Sequence, residues 1–179
     1  MYDRKDHCLQ NETNSSCTKC RVNYEPGDID AVLLTHIHGD HSGGLIDNGE
    51  LAFPNATLYV NQRDFDYWLS EEQMNRVAPA RQQSFRNAKA KVDPWKEAGR
   101  VHTFLDDHEI FPGVFSWAQP GHTPGHTYFT LNNSGHKIVF CADIVHVAEI
   151  QLANPGIAIV PTAILITFLT RSITLLMVF

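Results

Sequence analysis

The chain has 179 residues, of which 43% are hydrophobic and 19% charged, a composition typical of a globular protein with room for one domain. Its formal net charge of −6 argues against a nucleic-acid-binding surface, because phosphate binding needs clustered Lys and Arg. Residues 1–20 are polar and lack the apolar stretch of a secretory signal. We therefore expect a cytoplasmic protein that binds no nucleic acid.

The first part of the chain predicts little regular structure. Residues 1–25 show no apolar periodicity and are interpreted as an irregular N-terminal segment. Pro26-Gly27-Asp28 is a turn signal, and a domain is predicted over residues 26–160. Ile29–Thr35 is a nearly continuous apolar run, which is typical of a strand buried on both faces. A candidate core thus begins just after the turn.

A strand and helical segments are predicted next. Thr57–Asn61 is predicted to be a strand and Gln62–Ser70 a helix, with Phe65, Trp68 and Leu69 on one side. Residues 71–98 are polar and helix-favouring, and Pro79 and Pro94 interrupt them. We expect this stretch to be an inserted helical segment that contributes no side chains to the core.

Strand patterns return in the last third of the domain, with a hairpin loop at residues 132–135. The predicted strands are Val101–Leu105, Val114–Trp117, Tyr128–Leu131 and Lys137–Ala142. Cys141 is expected to be a small buried core residue. The order of elements predicts an α/β protein with a sheet-rich core.

The segment 161–179 is an atypical apolar tail. From Ile157 onwards the sequence is mostly apolar and long enough to span a bilayer. Arg171 would then lie well inside the membrane, at a cost of a few kcal/mol. We therefore do not expect a membrane anchor, and the sequence leaves the oligomeric state open.

The segment His36–His41 (HIHGDH) follows the first predicted strand and carries the strongest chemical signal. It places His36, His38, Asp40 and His41 within six positions. Imidazole nitrogens and carboxylate oxygens are ligands that suit zinc and related divalent metals. On a loop, residues two apart can approach one ion, while Asp40 and His41 can turn toward a second. This pattern predicts metal binding.

A later cluster, Pro120–His126 (PGHTPGH), holds two further histidines in a backbone shaped by glycines and prolines. It could present His122 or His126 at a strand end, although a purely structural turn would also explain this pattern of glycines and prolines. Asp143 follows the apolar run Ile138–Ala142, where a carboxylate could bridge metals or cap a turn.

Together the three elements resemble the metallo-β-lactamase superfamily, in which an H-x-H-x-D-H loop, a later G-H-T and an Asp after the next strands recur in this order. The resemblance implies an αββα sandwich, of which this chain holds a part. It also implies two zinc ions: His36, His38 and His122 would hold the first, Asp40 and His41 the second, and Asp143 would bridge them. His126 and His146 would then be supporting residues.

Three segments resemble the sequences of the branch that contains methyl parathion hydrolase and lactonase-like enzymes. They are THIHGDHSGGL, PGHTPGHTYF and CADIVHVAEIQ. That branch implies a hydrolase in which metal-bound hydroxide, oriented by Asp40 or Asp143, attacks an organophosphate triester, a lactone or an aryl ester. Aromatic residues could wall a pocket for this small-molecule substrate or belong to the core: Phe65, Trp68, Phe115 and Trp117.

Two departures from the family pattern favour an alternative. No strands of the family's first sheet are evident before His36, and no His follows His146, where the family places a ligand of the second metal. The alternative is a truncated, catalytically impaired remnant that binds one metal through His36, His38 and His122, with the second site incomplete.

Overall fold

A computed structural model of the chain describes residues 24–154, in which the strand predicted at Thr57–Asn61 is the centre of a parallel sheet. This strand pairs in parallel with one neighbour on each side. A long stretch of chain separates each neighbour from this strand, because parallel strands must be joined by a crossover connection. The three strands are β1 (Ala31–Leu33), β4 (Thr57–Asn61) and β5 (Val101–Phe104).

An antiparallel sheet of four strands follows in simple chain order. Its last two strands form a hairpin in which Asn133 pairs with His136. Ser134 and Gly135 have φ angles of 49° and 82°, as a two-residue hairpin turn of type I′ requires. The strands are β6 (His108–Phe111), β7 (Val114–Ala118), β8 (Thr127–Asn133) and β9 (His136–Phe140), and a small separate pair consists of β2 (Ile46–Asp47) and β3 (Glu50–Leu51).

Within residues 24–154, four short or medium helices lie between strands and a fifth follows β9; the longest of them corrects the expectation for residues 71–98. That stretch is helical as predicted, but Phe85, Val92 and Trp95 are buried in the core, so it is not a surface insertion. Pro94 lies inside the long helix and does not end it. The helices are α1 (Gly39–Ser42), α2 (Gln62–Trp68), α3 (Glu71–Arg76), α4 (Pro79–Glu97) and α5 (Ala148–Gln151).

The main core lies between the parallel sheet and α4. Leu58 and Val60 of β4 have no exposed surface, and the buried face of α4 packs on them. Trp95 also donates a hydrogen bond from Nε1 to the carbonyl oxygen of Leu45 at 3.1 Å. β1 is only half-buried along its length, so the expectation of a strand buried on both faces was wrong.

The two larger sheets meet next to the histidine clusters. The backbone N–H of Thr127, at the start of β8, donates to the carbonyl oxygen of Thr35 at 2.9 Å. The rings of Phe104 and Phe129 lie 6.3 Å apart across the same junction. This α/β arrangement, expected from the sequence, brings the end of β1 beside the loop that precedes β8.

Two further expectations concern Cys141 and a membrane-spanning helix. Cys141 is half-buried and lies after β9, so it is not the fully buried strand residue that was expected. Within residues 24–154, no helix combines the length and the apolar character needed to cross a bilayer. The expectations for residues 1–23 and for the tail 161–179 lie outside the described residues.

Candidate metal centre

Three imidazoles and one carboxylate from separated parts of the chain meet at the junction of the two sheets. His36 and His38 follow β1, His122 lies in the loop between β7 and β8, and Asp143 follows β9. Nδ1 of His38 is 3.0 Å from Nε2 of His36 and 2.8 Å from Nε2 of His122. One ligand atom from each of the four residues lies within 4.8 Å of the others.

A second donor group shares Asp143 with the first. It consists of Asp40, His41 and Asp143, again with one ligand atom each within 4.8 Å of the others. Nε2 of His41 is 3.2 Å from Oδ1 of Asp143 and 3.7 Å from Oδ2 of Asp40. The structure therefore brings together all six side chains for which the sequence suggested metal binding.

The two oxygens of Asp143 face different donor groups. Oδ2 lies 3.0 Å from Nε2 of His122 and 3.6 Å from Nε2 of His36, whereas Oδ1 faces His41. The carboxylate sits in a short 3-10 helix, Ala142–Ile144. Ala142 has a φ of 46°, a left-handed conformation that costs a non-glycine residue about 1–2 kcal/mol. Such strain is typical of sites where the backbone must aim a side chain.

The donor set fits a divalent cation such as zinc. Ligand atoms about 2.0–2.1 Å from a tetrahedral zinc would lie roughly 3.3 Å from one another. The distances between His36, His38, His122 and Asp143 that are given above run from 2.8 to 3.6 Å. The other group offers three donors among the described residues, and the side chain of Asp40 is 78% exposed. The first group is therefore the more complete of the two.

Burial keeps the histidines of the first group in the neutral form that metals bind. Desolvation lowers the pKa of His36, His38 and His122, and the neighbouring imidazoles lower it further. Asp143 opposes the shift at His38 and His122. Because a ligand histidine must be deprotonated, these rings can accept a cation at neutral pH without first losing a proton.

His126 and His146 adjoin the centre without joining either donor group. The ring of His126 is fully buried, 5.0 Å from that of His36, and neither ring nitrogen has a hydrogen-bond partner among the described residues. Nε2 of His146 lies 3.6 Å from Oδ2 of Asp143, and Gln151 accepts the backbone N–H of His146 at 2.7 Å. The supporting roles that the family resemblance implied for these two histidines stay a prediction.

Because several histidines are buried, we expect the metal-free protein to lose stability in acid. Burial lowers the pKa of His126 from 6.5 to about 4, so between these values the unfolded chain binds the proton and the folded chain does not. Stability must then fall as the pH drops through this window. Denaturant unfolding of chelator-treated protein above pH 6.5 and again near pH 4 measures this. We expect a lower midpoint in acid and a smaller loss for His126→Phe; equal midpoints at both pH values would contradict the prediction.

A cavity of about 580 Å³ opens beside the first donor group, a size typical of small-molecule sites. His38 and His122 line it together with several aromatic residues. Arg81 also lines it, and no ion pair of Arg81 occurs among the described residues. The other lining residues include Tyr67, Trp68, Val77 and Phe85.

Of the aromatic residues considered for a pocket wall from the sequence, Trp68 lines this cavity. Phe65 packs against the main core. Trp117 stacks on Tyr128 in the antiparallel sheet, with ring centroids 6.1 Å apart, and Phe115 neighbours Trp117. Tyr67 and Phe85 were missed as lining residues, since helix periodicity alone does not distinguish a pocket wall from a core face.

Comparisons with known proteins agree with this geometry. Residues 12–176 match the sequence profile of the metallo-beta-lactamase superfamily. The N-acyl homoserine lactonase AiiA of Bacillus thuringiensis subsp. kurstaki is 29% identical over 130 residues, which cover 72% of this chain and 44% of the relative. The chain thus spans less than half the length of that curated relative.

Solved structures share the fold as well. The crystal structure of hydrolase AbOPH in the beta lactamase superfamily has a TM-score of 0.69 and 34% identity, covering 76% of this chain and 48% of that one. An N-acyl homoserine lactone hydrolase with the product N-hexanoyl-L-homoserine bound at its catalytic metal centre has a TM-score of 0.51 and 27% identity, covering 70% of this chain and 42% of that one.

Proposed function

Because the chain belongs to the metallo-beta-lactamase superfamily, we propose that it is a metal-dependent hydrolase of ester-like bonds, with lactones as the preferred substrate class. The observation that carries this proposal is the convergence of two donor groups on the shared carboxylate of Asp143 beside an open cavity. The lactonase relatives support the choice of lactones over organophosphate triesters and aryl esters.

We assign the ligands from the donor groups. His36, His38 and His122 would hold the first ion, Asp40 and His41 would hold the second, and Asp143 would serve both. Zinc is the cation that this donor chemistry favours. When bound, such a cation supplies Lewis acidity and lowers the pKa of water from about 15.7 toward 7.

The protein's own side chains then orient the reactants. The aromatic wall of the cavity, with Trp68 and Phe85, takes up the apolar part of the substrate and excludes water. The exposed carboxylate of Asp40 offers an acceptor oxygen to the attacking water and passes the proton to solvent. The Arg81 guanidinium, at the cavity wall, donates hydrogen bonds to a carbonyl oxygen of the substrate.

The test is a substrate panel with the purified chain. N-hexanoyl homoserine lactone, phenyl acetate and a nitrophenyl phosphate triester represent the three classes. We expect the lactone to be hydrolysed fastest, activity to disappear with a chelator and zinc to restore it. His38→Ala should abolish hydrolysis, whereas His136→Ala, which removes an exposed imidazole of β9, should not. Stoichiometric metal binding without hydrolysis of any of the three would refute the proposal.

A second candidate function is suggested by the small number of donors that the described residues offer to the second group. Asp40, His41 and Asp143 offer three donors among the described residues, and Asp40 is mostly exposed. A protein with this deficit would bind one metal through His36, His38 and His122 and turn over slowly. Metal analysis after gel filtration separates the two: about two ions per chain with rapid turnover favours the hydrolase, and one ion with negligible turnover favours the impaired metal-binding protein.

A further inference from the structure

Asp64, in the first turn of α2, is a fully buried carboxylate outside both donor groups. Its two oxygens accept backbone hydrogen bonds from two different loops. Oδ2 accepts from the N–H of Ile37 at 2.9 Å, and Oδ1 accepts from the N–H of Gly125 at 2.6 Å. Burial raises the pKa of this carboxyl group, and the hydrogen bonds from the N–H groups of Ile37 and Gly125 oppose that shift because they stabilise the ionised form. Burial also excludes water that would compete for these bonds.

These two N–H groups belong to the loops that carry the metal donors. Ile37 lies between His36 and His38, and Gly125 lies in the same loop as His122. A single carboxylate therefore connects the loop after β1 to the loop before β8. The backbone hydrogen bond from Thr127 to Thr35 joins the same two parts of the chain.

The packing at Gly125 shows that the connection is tight. A Cβ atom at this glycine would lie 2.4 Å from the backbone nitrogen of Asp64 and 2.8 Å from Oδ1 of Asn61. Asn61 is buried as well, caps α2 through the N–H of Arg63 at 2.9 Å and donates to Oγ1 of Thr127 at 3.4 Å. The start of α2 thus fits closely against the loop that carries Gly125.

We propose that Asp64 is a positioning residue of the metal centre: it sets the separation of the His36–His38 loop and the His122 loop, and binds no metal itself. This inference rests on the proposed metal-binding function. A purely structural role would lower the stability of the fold and leave the affinity for metal unchanged. A positioning role requires that the affinity change by more than the loss of stability explains.

The test is zinc affinity, measured by competition with a chromogenic chelator. Asp64→Asn keeps one acceptor oxygen but turns an amide N–H toward the other backbone donor, so one of the two loops is released. Loss of a residue that orients ligands typically lowers metal affinity by about 10- to 100-fold, and we expect that loss here. The absorption spectrum of the cobalt-substituted protein should change too, since the ligand geometry changes.

Ser116→Ala is the matched control. Ser116 is equally buried, and its hydroxyl donates to the carbonyl oxygens of His108 and Asp106 at 3.2 and 3.4 Å, away from the donor groups. We expect this variant to lose stability and to keep the zinc affinity of the wild type. An Asp64→Asn protein that folds and binds zinc as the wild type does would overturn the proposal.

Hydrogen exchange of the metal-free wild-type protein gives a second readout. It can be measured even if Asp64→Asn does not fold. The amide protons of Ile37 and Gly125 should be protected before any metal is added, because Asp64 accepts both bonds. Exchange at the rate of unprotected amides would overturn the proposal. Neither readout depends on hydrolysis, so an inactive protein that binds zinc would contradict the proposed function and leave the role of Asp64 intact.

Discussion

Replacing Asp143 by alanine is expected to remove both metal ions and to lower kcat/KM by about a thousandfold or more. The carboxylate faces His36 and His122 with one oxygen and His41 with the other, so its loss removes a donor from each group. A thousandfold effect corresponds to about 4 kcal/mol of transition-state stabilisation, within what metal-ion catalysis supplies. Metal analysis and lactone hydrolysis measure both effects.

Variants that remove a donor from only one of the two groups show whether both ions share the carboxylate of Asp143. His122→Ala should weaken the first ion, and His41→Ala the second, so each should retain more metal than Asp143→Ala. Asp66→Ala is the matched carboxylate control, because Asp66 is exposed on α2 and accepts a hydrogen bond only from Gln62 among the described residues. Two tightly held ions in Asp143→Ala would disprove a bridging carboxylate.

Replacing Trp95 by alanine is expected to lower the free energy of unfolding by about 3–5 kcal/mol, which is the usual cost of removing a large buried aromatic side chain. Trp95 has no exposed surface and lies in the core between α4 and the parallel sheet. Its loss also leaves the carbonyl oxygen of Leu45 without the 3.1 Å hydrogen bond from Nε1. Denaturant unfolding of the metal-free protein measures the change.

The neighbouring exposed positions of α4 provide the comparison. Arg86→Ala changes a residue on the solvent face of the same helix and should alter stability by no more than about 0.5 kcal/mol. Similar small losses for Trp95→Ala and Arg86→Ala would mean that α4 contributes nothing to the core, as its composition alone suggests.

The part of the site that could be predicted from the sequence is the part encoded locally. His36–His41 follows directly on a strand, and the short spacing alone predicts that its imidazoles approach one ion. The strand Thr57–Asn61 has the bounds predicted for it, and the structure shows that Asn61 also caps the helix that follows. The convergence of His122 and Asp143 on this loop came from family resemblance, because nothing in their own neighbourhood specifies a distant partner.

The long helix shows where composition misleads. Most positions of α4 are polar, and its buried residues Phe85, Ala88, Val92 and Trp95 are spaced along one narrow face. A stripe of this kind in a polar segment gives a weak periodic signal. Pro94 added to the error, because an interior proline normally ends or kinks a helix, whereas here it falls in the final turn.

Asp64 was missed for a different reason. An aspartate in the first turn of a helix is ordinarily a solvated residue that interacts with the helix dipole, so its type and position predict exposure. Its burial results from the approach of Gly125 and Ile37, which are remote in sequence. Strand β6 (His108–Phe111) was missed as well, since its residues are half polar and its pairing depends on β7.

The hydrogen bond between Thr127 and Thr35 has a consequence for the timing of assembly. It joins residues far apart in sequence at the junction of the two larger sheets, and contacts between distant segments form slowly because the intervening chain must close first. Before the sheets dock, the His36–His38 loop is separated from His122 and Asp143, so neither part holds the complete proposed ligand set. Under the proposed ligand assignment, stable binding of zinc would mark the end of folding, and the kinetics of zinc uptake would report on the completed tertiary structure.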